Sequence, residues 1–111
     1  MIRKARITVL RCMSNPDLAA TYRKPTINKR FPVPCSVFEE GQEFLLSTWD
    51  SPPAGFCPWA WADIHKEIML VMSGGSHIGL KDPGTAIACC TDAFKPVVFK
   101  IEDAGENQPF D

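Results

Sequence analysis

The stretch "CPWAWADIHKEIMLVMSGG", residues 57–75, decides how the rest of the chain must fold. Pro58 suits the first turn of a helix, where the N–H it lacks would have had no intrahelical partner. Trp61, Ile64, Ile68, Val71 and Met72 then recur at helical spacing and leave Asp63, Lys66 and Glu67 on the wet side. Two glycines follow Ser73, and Gly74 or Gly75 can take the left-handed backbone that ends a helix. The reading predicts a helix of about four turns with a single apolar stripe. That stripe needs an apolar surface to lie on.

The flanking segments supply the surface as strands. "ARITVLRC" (5–12) alternates Ala5, Ile7 and Val9 with Arg6, Thr8 and Leu10 and reads as the first strand. A second strand is expected over roughly Glu43–Ser47, after a turn at Gly41. "TAIACC" (85–90) and "PVVFKIED" (96–103) read as the last two, joined by a turn over 91–95. In the final strand Val97, Phe99 and Ile101 share one face, with Val98, Lys100 and Glu102 on the other. Asn15, Pro16 and Asp17 open a short N-terminal helix. Prolines 25, 32 and 34 predict an irregular stretch over 25–34, and "AGENQPFD" (104–111) reads as a loose tail. The fold class is therefore α+β: a single small domain with its core over about 5–103. Its sheet of about four strands, mixed or antiparallel, is covered on one face by the long helix.

A formal net charge of −1 argues against a nucleic-acid or membrane-surface protein, because phosphate backbones are bound by a positive excess. Arg23, Lys24, Lys29 and Arg30 form the one basic cluster, in the Pro-broken segment "YRKPTINKRFPVP" (22–34), and read as a solvated loop. At the N-terminus Arg6 and Arg11 interrupt the apolar residues of "MIRKARITVLRCM", so neither a signal peptide nor a membrane span is predicted. The expected location is cytoplasmic. Cys12, Cys35, Cys57, Cys89 and Cys90 make an odd count, and in a reducing compartment free thiols or metal-bound thiolates are the default.

Cys57 is placed at or just before the N-cap of the long helix. Its sulfur there meets unpaired N–H groups and the positive end of the dipole, a setting that favours thiolate. The adjacent Cys89 and Cys90 differ from each other. Side chains alternate across a strand, so one thiol points toward the helix and the other away. Cys90 shares a face with the small residues Ala86 and Ala88 and lies at the strand end, so it is the candidate for chemistry; Cys89 is assigned to packing. There is no CxxC, CxxH or HxxxH, so a metal site would have to be assembled across the fold from Cys35, Cys57 and Cys90, with His65 or His77 as further donors. Three thiolates suit a soft metal such as zinc or iron. "MSGGSHIG" (72–79) lacks the pattern of a phosphate loop and reads as a helix stop. Glu39, Glu40 and Glu43 mark a solvated turn.

"VPCSVFEEGQEF" (33–44), "GFCPWAWADI" (55–64) and "AIACCTDAFKPVVFKIE" (86–102), with "ITVLR" near the start, together resemble a family of short, uncharacterised, mostly bacterial proteins. In that pattern one Cys precedes a GxEF strand, a second follows GF or GI before a helix, and a third precedes PVVFKI. The resemblance runs from about Ile7 to Glu102 and implies that Cys35, Cys57 and Cys90 are the recurrent cysteines. Cys89 belongs to a subset with paired cysteines, and Cys12 and the two histidines stand outside the pattern. It carries no reaction with it. The stretch "TYRKPTINKRFPVP" (21–34) is longer than its counterpart in the shorter relatives.

Two functional readings follow. In the first, Cys35, Cys57 and Cys90 converge near the start of the long helix and bind a soft metal or do thiol chemistry on a small molecule. In the second, a small-molecule pocket walled by Trp59, Trp61 and Phe94 serves a lyase- or isomerase-type enzyme or a ligand binder. Asp63 or His65 then moves protons, and the cysteines only pack. His65 also reads as a satisfied boundary histidine, because reaching back to Cys57 would take it two turns along the helix. An interaction module without an active site is the plain third reading, and a homo-oligomer is compatible with all three.

Overall fold

The computed structural model describes residues 2–106. The chain runs β1 (Arg3–Cys12), α1 (Pro16–Tyr22), α2 (Pro25–Arg30), β2 (Glu43–Leu46), α3 (Pro58–Met72), β3 (Thr85–Cys89) and β4 (Val97–Glu106). The four strands form one antiparallel sheet in the order β2-β1-β4-β3, with the two ten-residue strands β1 and β4 at its centre. α3 connects the two edge strands and packs on β1, β3 and β4. The expected α+β architecture is thus realised, with the sheet wholly antiparallel.

Strand alternation decides which side chains meet α3. Ala5, Ile7 and Val9 of β1, Ala86 and Ala88 of β3, and Val97, Phe99 and Ile101 of β4 are buried together with Ile64, Ile68, Val71 and Met72 of the helix. Register brings them into rows: Ile7 lies opposite Phe44 on one side and Ile101 on the other, and Phe99 is flanked by Val9 and Ala88. Full burial of each large apolar side chain contributes roughly 1.5–3 kcal/mol, so this one cluster dominates the stabilising terms. Phe38, Phe44, Phe56 and Phe99 join this core through edge-to-face contacts with centroids 5.0–6.1 Å apart.

α3 ends in a Schellman motif. Gly74 has φ +90°, its N–H donates to Val71 O at 3.0 Å, and the Gly75 N–H donates to Leu70 O at 2.9 Å. Of the two glycines offered by the sequence, Gly74 is the one with left-handed backbone.

Three expectations need correction. Residues 25–30, read as irregular, form helix α2, because Pro25 occupies the first turn after an extended Lys24 and tolerates it there. Glu67, placed on the wet side, is 6% exposed. It stands three residues after Ile64 and four before Val71, hence on the same helical face. One of its carboxylate oxygens meets Lys66 Nζ at 2.7 Å while the other is buried without a hydrogen-bond partner. Finally, residues 104–106 of the expected tail extend β4, with Gly105 opposite Lys4 and Glu106 opposite Arg3; 107–111 lie outside the described residues. No helix among the described residues is long and apolar enough to cross a membrane.

Candidate functional site

A bulge in β1 sets up one end of the sheet. Pairing with β4 shifts between Val9 and Arg11, so that Val9 lies opposite Phe99 but Arg11 opposite Val98 and Cys12 opposite Val97. An extra residue inverts which side chains point inward. Cys12 therefore turns toward the core in company with Val97, and packs against it half-buried. Across β4, Cys89 pairs with Val98. One residue further, the Cys90 N–H donates to Val97 O at 3.0 Å, while the Val97 N–H donates to Cys90 Sγ at 3.2 Å. A sulfur closes the last rung of the ladder in place of a carbonyl. Cys12, Val97 and Cys90 so form a row across three strands, the outer two backbones roughly 10 Å apart.

The start of α3 lies over this row. Cys57 is the N-cap, as expected, with extended backbone, and its carbonyl accepts the Trp61 N–H at 2.9 Å. Its side chain makes no capping hydrogen bond. Cys35 arrives from the loop after α2 and packs half-buried on the core. The outcome is a cavity of about 40 Å³ bordered by Cys35, Cys57 and Cys90, with Phe38, Ala60 and Val97 as apolar walls and Trp59, Asp92 and Lys95 completing it. That is room for a few waters at most, since one water needs about 10–15 Å³ on the same measure. A wider hollow of about 370 Å³ shares Cys57, Trp59, Asp92 and Lys95 with the cavity and adds Arg23, Phe31, Val37 and Pro58.

The other nominated residues separate from this centre. Asp63 does not border the cavity. Its Oδ2 accepts from Thr91 N at 2.7 Å and from Thr91 Oγ1 at 3.0 Å, and the same hydroxyl accepts the Trp59 indole N–H at 2.7 Å. Asp63 thus pins the β3–β4 turn to α3 and positions Trp59. His65 Nε2 lies 2.7 Å from Trp49 O and its ring packs 5.3 Å from Trp61, so it is a satisfied boundary residue rather than a partner of Cys57. Trp61 is half-buried against Phe56 and His65 and does not line the wall expected of it. Trp59, in contrast, borders the cavity, the wider hollow and a second outer hollow of about 360 Å³, which Phe94 borders together with Arg23 and Thr91. His77 accepts from Ile87 N–H at 3.3 Å, beside the middle of β3, and does not border the cavity.

Cys89, assigned to packing, is exposed: its strand face carries Ile87, also exposed, whereas Ala86 and Ala88 face the core. Partial burial first, then Cys90 and Asp63, holds the Cys89 thiol above its ordinary pKa. Cys12 is also pushed up, chiefly by burial and then by Cys35, Glu40 and Cys90. Its Sγ lies 3.5 Å from Phe38 O. Cys12 was missed from the sequence because strand alternation without a bulge turns it outward.

Among the described residues, no group of three or more His, Cys, Asp or Glu side chains is arranged to hold a metal ion. The zinc or iron set expected from Cys35, Cys57 and Cys90 thus shares a cavity without forming a ligand set. The three come from a loop, a helix cap and a strand end, and Cys90 Sγ accepts a backbone N–H. Asp92, Lys95, Thr91 and Arg23 were not nominated from the sequence, since their roles arise from contact between distant segments. Comparison with protein-family models, curated proteins and solved structures finds no match to this chain.

Proposed function

We propose that the chain is a small thiol-dependent protein in which Cys57, with Cys90 beside it, does thiol chemistry on a small molecule reached through the hollow at Trp59. The observation that carries this reading is that one cavity is bordered by Cys35, Cys57 and Cys90, with Trp59, itself 58% exposed, also lining it. Cys57 Sγ has no capping bond to release before it can act. Its attack forms an S–C bond with an electrophilic carbon or an S–S bond with a disulfide sulfur, and the leaving group departs with the electron pair of the broken bond. With a disulfide substrate, Cys90 then attacks the Cys57 sulfur and releases the second thiolate. All five cysteines are free, which suits a reducing compartment such as the cytoplasm.

Site-resolved alkylation by iodoacetamide at neutral pH, read by mass spectrometry, tests the reading. Cys57 is expected to label faster than the more exposed Cys89, so that reactivity does not follow exposure, and Cys90→Ala is expected to change the Cys57 rate. Labelling in simple order of exposure would overturn it. A second reading, a ligand binder in which the cysteines only pack, is favoured by Trp59 bordering the cavity and the two outer hollows described above, with its indole held by Thr91. Ligand binding undiminished in a Cys35, Cys57 and Cys90 triple alanine variant would select it.

A further inference from the structure

We propose that the wider hollow outside Cys57 takes a small molecule bearing a carboxylate, with the anionic group on Arg23 and Lys95 and the reactive end at Cys57. The inference rests on the thiol reading above and names the substrate class of the same site.

Arg23 borders both outer hollows, of about 370 and 360 Å³. Its guanidinium sits over the Phe94 ring, 5.2 Å from the centroid, which holds the group by a ring face and leaves its fork of donors unspent. Nη1 is shut from solvent and has no hydrogen-bond partner. A charged donor in that state lacks an acceptor, and the planar acceptor that matches a guanidinium is a carboxylate.

The surroundings carry the same sign. Lys95 Nζ and the Arg30 guanidinium lie 5.9 and 5.4 Å from the Phe31 centroid. Asp92, 3.5 Å from Lys95 Nζ, is the one acid bordering either hollow. Among the bordering residues Arg23 and Lys95 stand against Asp92 alone, which leaves the rim with a positive excess in a chain whose formal net charge is −1. The field is therefore local to this rim. Size divides the work: the outer hollow falls within the range of small-molecule sites, while the cavity of about 40 Å³ behind it admits only a reacting end.

Iodoacetate and iodoacetamide share a leaving group and differ in the charge of the end that Arg23 would hold. The ratio of their rates at Cys57 is expected to exceed that of a free cysteine peptide in the same buffer by about tenfold, the lower range of electrostatic concentration in a charged cleft. Arg23→Gln is expected to collapse that excess. Lys29→Gln removes the same charge from an exposed position on α2 and is expected to preserve it. A ratio equal to the peptide's, or an equal loss in the two variants, would overturn the carboxylate site. A second readout does not need a reactive thiol: acetate, but not acetamide, is expected to shift the Trp59 indole N–H resonance in the wild type and not in Arg23→Gln. If Cys57 is inert and the acetate shift persists, the thiol reading falls alone; if acetate shifts nothing, the site falls.

Discussion

The two ends of the central β1–β4 pair are built by different means. At the Arg3 end, charges are matched across the strands: Arg3 pairs with Asp103 and Glu106, Arg6 lies between Glu43 and Glu102, and Lys100 Nζ meets Glu102 at 3.0 Å. The Gly105 N–H also donates to Asp103 Oδ1 at 2.8 Å. At the Cys12 end the same two strands carry a bulge, a rung closed by sulfur, a cavity and, close by, a guanidinium nitrogen without a partner. Ion pairs fill the first end, although its β1–β4 register also shifts between Lys4 and Ala5, whereas the second keeps space and an unspent donor. One end contributes stability and the other, on our reading, chemistry.

The largest effect should come from the middle that both ends share. Phe99 is fully buried, flanked by Val9 and Ala88, with its ring 5.2 Å from Phe38 and 5.6 Å from Phe56. Phe99→Ala is expected to cost about 3–5 kcal/mol in urea denaturation. Amide exchange should accelerate at both ends together. Acceleration confined to one end would mean that the two do not rest on a common core.

Thr91→Val should act on one end alone. It removes the hydroxyl shared by Asp63 and Trp59, and a loss of about 0.5–1.5 kcal/mol is expected. Exchange in the first turn of α3 and the Cys57 alkylation rate should both change while the Arg3 end keeps its protection. An unchanged Cys57 rate would remove Asp63 and Thr91 as positioning residues.

Acid should probe the opposite end. The Arg3 hydrogen bond chiefly holds Asp103 below the usual carboxylate range, and Lys100, with Arg6, does so for Glu102. Depressed native values stabilise the fold above the unfolded carboxylate pKa of about 4 and lose that contribution as pH falls through the lower native values. The denaturation midpoint is expected to decline over that acid window, less steeply in Asp103→Asn, and with no change of slope in Cys57→Ala. An identical slope in Asp103→Asn and wild type would show that this pair is not what acid dissolves.

The smallest effect concerns thiols that the reading excludes from chemistry. Cys12 and Cys89, both raised, stay protonated at neutral pH, so their alkylation should be slower than that of a free cysteine peptide. It should still be climbing above the ordinary thiol value of about 8.5. A rate already level at pH 8 for either would place it among the reactive cysteines.

Much of this comparison can be traced to residues that the sequence exposes. Pro58 and Gly74 bracket α3, and the inward sets Ala5, Ile7, Val9 and Val97, Phe99, Ile101 follow from alternation alone. Cys35, Cys57 and Cys90, nominated separately as residues at the ends of elements, do border one cavity. Other features had weaker signals. Glu67 reads as solvent-facing from its charge, yet its position on the helical face buries it, and Pro25, which reads as a breaker, begins a helix. Asp63 and His65 carry side chains suited to proton transfer, but backbone groups of Thr91 and Trp49 occupy them.

What the sequence by itself determined is therefore local: the helix, its caps, the faces of the strands and which thiols stand at their ends. These follow from periodicities that relate a residue to neighbours two to four positions away. Only the tertiary structure decided that Cys12 turns inward at the bulge, that Thr91 ties Trp59 to Asp63, and that Arg23 comes to rest on Phe94 beside Cys57. Each depends on how distant segments pair and pack. A register shift or a cation seated on a remote ring is fixed by that partner and leaves no mark on the local pattern.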